Sequence, residues 1–112
     1  MPSLAPIRMY RGIPATGLTE LAYDVPAGRR AIIKHVRITN PTSTDATLTM
    51  MIGVAPIPDG QSIYVCKDLL VRASDVVLFE MNEVMIDTEF IWLSQGTTNA
   101  LHVQISGVEV TL

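Results

Sequence analysis

Cysteine is almost missing from this 112-residue chain. Cys66 stands alone, so no internal disulfide can form and the fold must rest on its core. Between Val65 and Lys67 on an alternating run, it reads as a small buried apolar side chain rather than a reactive thiol. Charge is scarce as well: Asp, Glu, Lys and Arg make up 17% of the chain, against roughly 25% in ordinary soluble domains. The surface must therefore be rich in Ser, Thr, Asn and apolar groups, which suits partial cover by partners. Aromatic residues amount to 5%, too few and too scattered for a base-stacking platform. A net charge of −3 excludes a general nucleic-acid binder. No window reaches the roughly 18 consecutive apolar residues of a membrane helix. The opening "MPSLAPIRMYRG" lacks the charged start and continuous apolar run of a signal peptide. The expectation is a protein made in a reducing cytosol that does not cross a membrane by itself.

What is present is a large apolar fraction, 48%, enough for one core in a chain of one domain's length. Its spacing is that of strands. "ATLTMMIGV" alternates cleanly: Ala46, Leu48, Met50, Ile52 and Val54 point one way, Thr47 and Thr49 the other. "GLTELAYDVPAG" is a strand whose better core face is Thr19, Leu21, Tyr23 and Val25. "VPAG" then turns the chain, with Pro26 fixing φ and Gly28 free to take positive φ. In "RRAIIKHVRITN" the alternation slips. A bulge near Lys34 restores it, with Ala31 and Ile33 inside before the bulge and Val36 and Ile38 inside after it. "NPTSTD" is a loop, and the strands on either side of it are expected to pair as an antiparallel hairpin.

After a Pro/Gly loop, "APIPDGQS", the spacing predicts strands at Ile63–Val71, Val76–Glu80, Val84–Ile86, Phe90–Ser94 and Leu101–Leu112. Only "DLLVRAS" could equally make a helical turn. Gly107, inside the last strand, marks a bend or bulge. Seven to nine short strands with frequent turns imply an all-β antiparallel sandwich, and eight suit a jelly roll. Residues 1–16 read as an extended N-terminal arm and 17–112 as the sandwich domain. Pro2, Pro6 and Pro14 prevent a helix in the arm and disfavour a central strand, yet Leu4, Ile7, Met9, Tyr10 and Ile13 are apolar. Such an arm lies on something, either its own domain or a neighbour.

Catalytic and metal signatures are not found. His35 and His102 have no second ligand at metal-like spacing, and no cofactor is implied. Glu80, Glu83, Asp87 and Glu89 are the densest carboxylates, but they lack a Gly-anchored calcium loop. The serines have no nucleophile-elbow context, and "VPAGRR" lacks the glycine spacing and Lys-Ser/Thr pair of a phosphate loop. Trp92 shares a strand face with Phe90, which favours core or interface over a sugar platform.

The charges are placed unevenly. Up to Asn40 there are six Arg and Lys and two acids; from Ala73 onward there are six acids and no Arg or Lys. Either the two halves pair inside one domain, or the basic part of one copy meets the acidic part of another, setting register and specificity. The candidate interface residues follow from this. On the arm they are Leu4, Ile7, Arg8, Tyr10 and Arg11; beyond the turn they are Arg29, Arg30 and Arg37.

The order "YDVPAGRRAIIKHVRITN", a Thr/Ser-rich turn, "ATLTMMIGV" and the ending "LHVQISGVEV" resembles a group of small one-domain virion proteins of tailed bacteriophages. The resemblance spans roughly Leu18 to Val110. "IDTEFIWLSQG" departs from the group's usual Gly-Asp turn, with Asp87-Thr88 in its place. The resemblance implies a structural subunit without catalysis, foremost a capsid decoration (cement) protein. Such a protein forms homo-oligomers, often trimers, and binds the major capsid protein or other virion proteins on the head surface. A tail, neck or fibre-base component with the same fold is the alternative, and a carbohydrate-binding module a more distant one.

Overall fold

A computed structural model describes residues 3–17, 20–55 and 62–111. The Leu18–Thr19 start of the first expected strand and the Pro/Gly loop after Ala55 lie outside them. The described residues form eight strands and no helix. In chain order they are β1 (Ser3–Gly12), β2 (Glu20–Asp24), β3 (Arg29–Thr39), β4 (Ala46–Gly53), β5 (Ile63–Val71), β6 (Val76–Met85), β7 (Phe90–Gln95) and β8 (His102–Thr111). One sheet has the order β1-β8-β3-β6, the other β2-β7-β4-β5, and every described pairing is antiparallel. β1 pairs β8, β2 pairs β7, β3 pairs β6 and β4 pairs β5, so the chain folds as one long hairpin rolled into two facing sheets. That nesting is the jelly roll.

The expected slip in β3 is there. Register to β8 shifts between Ile33 and His35, so Lys34 is the extra residue on that side. Against β6 the shift runs the other way, with Met81 and Asn82 opposite Lys34. Ala31, Ile33, Val36 and Ile38 are all fully buried. β1 bulges at the same level, at Met9, where its register to β8 shifts between Arg8 and Tyr10. Between the two bulged strands runs Gly107 of β8. A Cβ there would sit 2.0 Å from the Ile32 carbonyl oxygen, so only glycine lets β3 and β8 approach this closely. The VPAG turn also forms as expected, with Gly28 at φ 76° and Arg29 N–H donating to the Pro26 carbonyl at 3.2 Å.

Three expectations change. β3 and β4 are not a hairpin: β3 lies between β8 and β6, leaving no free edge, and β4 belongs to the other sheet. The loop between them crosses the sandwich, wrapped around Asn40, which is fully buried. Its amide donates to the carbonyls of Thr44 (2.9 Å) and Val71 (3.0 Å) and accepts from the Thr42 N–H and hydroxyl. Leu21 is exposed rather than inward, because β2 bulges between Leu21 and Tyr23 and reverses the phase. Val76–Met85 is one continuous strand, because β3 offers it a continuous partner. The ambiguous "DLLVRAS" continues β5 as far as Val71 rather than making a helix.

The segment expected to lie on its own domain or on a neighbour lies on its own domain: Ser3–Gly12 is an edge strand. Pro6 is tolerated because β1 needs backbone bonds on one side only. Met9 enters the core, and Ile7 and Tyr10 pack against it. Further on, Gln95 is buried at the end of β7, where its side chain donates to the Pro14 carbonyl and accepts from Ala100 N–H (3.1 Å) and Leu101 N–H (2.7 Å). Gln95 thereby ties the end of the β1 segment to the start of β8.

Candidate interface on the outer face of the first sheet

Strand alternation puts every second side chain of β1, β8, β3 and β6 on the outer face, and the registers align them in rungs. One rung is Leu4, Val110 and Arg30, and the next is Pro6, Val108, Ile32 and Val84. Then come Arg8, Ser106, His35 and Glu80, and after them Arg11, Gln104, Arg37 and Leu78. Arg30 thus stands beside Leu4 and Val110, the second rung is wholly apolar, and the next two carry Arg8, His35, Arg11 and Arg37, with Glu80 and Leu78 on the β6 side. Leu4 is 69% exposed, Leu78 63% and Val84 57%, far from the burial such side chains reach in a core. Leu4 stands on β1 and Leu78 and Val84 on β6, the two edge strands of this face, while Leu21, Ile63 and Leu70 are exposed on strands of the other sheet.

The candidate residues sort cleanly by this geometry. Leu4, Arg8, Arg11, Arg30 and Arg37 share the outer face and are exposed. Ile7 and Tyr10 turn inward onto the core. Arg29 reaches into the end of the sandwich and pairs with Glu109 at 2.8 Å. Glu109 also accepts from the Tyr23 hydroxyl at 2.6 Å, linking the two sheets. Burial, then the bond to Glu109, pushes the Tyr23 hydroxyl well above its ordinary pKa.

The two readings of the charge asymmetry can be compared. Among the described residues the ion pairs are Arg29–Glu109 and a longer contact of His35 with Glu80 at 4.0 Å. Pairing inside the domain thus uses little of the basic half. Arg11 and Arg37 instead both donate to the Gln104 side-chain oxygen, each at 3.2 Å. Gln104 drew no notice in the sequence. Its only signal there was its outward parity on the last strand, since what brings it between two arginines is the β1-β8-β3 order.

The remaining chemical candidates are spread apart. Among the described residues no three His, Cys, Asp or Glu side chains are grouped to hold a metal ion. Asp87 accepts from Gly28 N–H at 3.1 Å and Glu89 from Ile86 N–H at 2.9 Å, so both serve turns. His102 is exposed on the outer face. Cys66 lies partly buried with its sulfur 3.7 Å from the Leu48 carbonyl oxygen, and burial pushes the thiol pKa up, away from a reactive thiolate. Trp92 leans on Phe90, rings 58° apart, and donates Nε1–H to the Gly53 carbonyl at 3.3 Å. The Trp92 ring is half-buried.

No family model matches the chain, and no curated protein matches it. Solved virus-particle structures do share its fold. The T13 viral particle of infectious bursal disease virus aligns over 99% of this chain and 31% of its own, with a TM-score of 0.60 at 12% identity. The Gx strain of that virus aligns over 99% and 33%, with a TM-score of 0.57 at 13% identity. The VP2 subviral particle of the same virus aligns over 98% and 32%, with a TM-score of 0.58 at 14% identity. This chain spans about a third of the length of these proteins, and at such identity the likeness is one of fold.

Proposed function

We propose that this chain is a non-enzymatic structural subunit of a virus particle. Within that class we assign it as a capsid decoration (cement) protein of a tailed bacteriophage. One observation carries the reading: an eight-stranded jelly roll of the kind found in virus-particle proteins presents a sheet face of exposed aliphatic and unneutralised basic side chains. Such a face suits broad, flat contact with a neighbouring subunit. In the assembled particle the chain works as a homo-oligomer, a trimer in the assignment made here, seated on the major capsid protein. Each contact it makes stabilises the assembled state by mass action, because it binds that state and not the dissociated one.

The test is to add purified protein to heads lacking it and to locate it by electron microscopy. Binding to the head surface together with a raised disruption temperature is the expected result. Density at the tail or neck would assign the alternative virion position. Absence from the particle would overturn the reading.

A further inference from the structure

A hollow of about 340 Å³ opens at the Gly12 end of the first sheet's outer face. Its polar lining is Arg11, Arg37, Thr39, His102 and Gln104, and it contains no carboxylate. The two arginines come from β1 and β3, on either side of β8, and both lie level with Gln104. Each reaches over β8 to the same neutral amide oxygen, at 3.2 Å. An amide oxygen holds two guanidiniums in place without cancelling either charge. Each guanidinium carries five N–H donors and commits one to this contact, so most of their donors remain for another acceptor. Thr39 adds a hydroxyl.

We propose that Arg11, Arg37 and Gln104 form an oxyanion clasp whose ligand is a carboxylate group. A carboxylate set between the two guanidiniums accepts from both at once, in the planar geometry that arginine matches best, and offsets the charge that Gln104 leaves standing. The group can come from an acidic side chain of a neighbouring subunit or from a free oxyanion in solution. The first source rests on the virion reading above; the clasp itself does not. A single exposed clasp binds weakly, but repetition over the copies of an assembly multiplies its effect.

The test uses the purified, ¹⁵N-labelled chain titrated with sodium acetate, and separately with sodium phosphate, at constant ionic strength. The expected result is saturable shifts at the side-chain N–H signals of Arg11, Arg37 and Gln104, weakened at least tenfold by R11Q or R37Q. Gln104→Glu places an internal carboxylate between the arginines. It should abolish anion binding while leaving the melting temperature at least as high as that of the native chain. Shifts spread evenly over Arg8 and Arg30, no saturation, or native-like anion binding by Q104E would overturn the clasp. With the clasp established, head binding by Q104E separates the sources: its loss assigns a subunit carboxylate, its retention a free oxyanion. A native chain that binds acetate but no particle supports the clasp and refutes the virion reading alone.

Discussion

The Tyr23 hydroxyl donates to Glu109 Oε2 at 2.6 Å, joining β2 of one sheet to β8 of the other near the end of the sandwich. Arg29 holds the second carboxylate oxygen, so Glu109 is fixed from both sides. Tyr23→Phe should cost about 1.5–3 kcal/mol of unfolding free energy at neutral pH, as expected for a hydrogen bond to a charged group. The pH dependence is also determined. Burial first, then Glu109, raises the folded-state pKa of Tyr23 above its ordinary 10.0. Its contribution is therefore full below pH 10.0 and is lost as pH rises through and beyond that value. Denaturant melts at pH 8 and pH 11 should show the native chain losing more stability than Y23F between the two.

Gly107→Ala should be among the most damaging single changes. Its Cβ would meet the Ile32 carbonyl oxygen at 2.0 Å and Met9 Cε at 2.9 Å, and the backbone atom cannot swing aside. A loss of about 3 kcal/mol or more is expected, visible in thermal melts. Gly28→Ala is the control: φ is positive there but nothing lies within 4 Å, so about 1 kcal/mol of backbone strain is the whole effect.

Asn40→Asp keeps the shape and removes the two N–H donors. The carbonyls of Thr44 and Val71 would then face a buried carboxylate. A cost of about 2–3 kcal/mol is expected by chemical denaturation, falling at low pH as the carboxyl takes up a proton. An unchanged midpoint would mean that the crossover does not depend on this amide.

Removing residues 1–12 takes away an edge strand together with Met9, Ile7 and Tyr10. It also uncovers the β8 edge, whose unpaired N–H and C=O groups invite pairing between chains. The truncated chain should melt lower and elute as larger species in size-exclusion chromatography. A monomer with native stability would show that β1 is dispensable for folding.

Local pattern was sufficient wherever the information lay within one strand. The broken alternation of "RRAIIKHVRITN" located the Lys34 bulge and its four buried neighbours, because a one-residue slip turns side chains to the wrong face. The same logic misread Leu21, since "TELAYDV" alternates without any visible break and its bulge arises only against β7. Met51 sat on the polar parity of β4, yet it is fully buried, level with Trp92 and Tyr64 of the flanking strands. Nothing in "ATLTMMIGV" announces those neighbours.

The sequence by itself determined the all-β class, nearly every strand, the VPAG turn and the core of β3, because alternation and turn chemistry act over a few residues. Tertiary structure alone decided which strands are neighbours. It turned the expected β3–β4 hairpin into a crossover, made the Pro-rich start of the chain an edge strand, and set Arg11 and Arg37 on either side of Gln104. The physical reason is distance along the chain. Residues 11, 37 and 104 meet because β8 closes the roll between β1 and β3, and a pairing so remote in sequence leaves no local trace in any of the three strands.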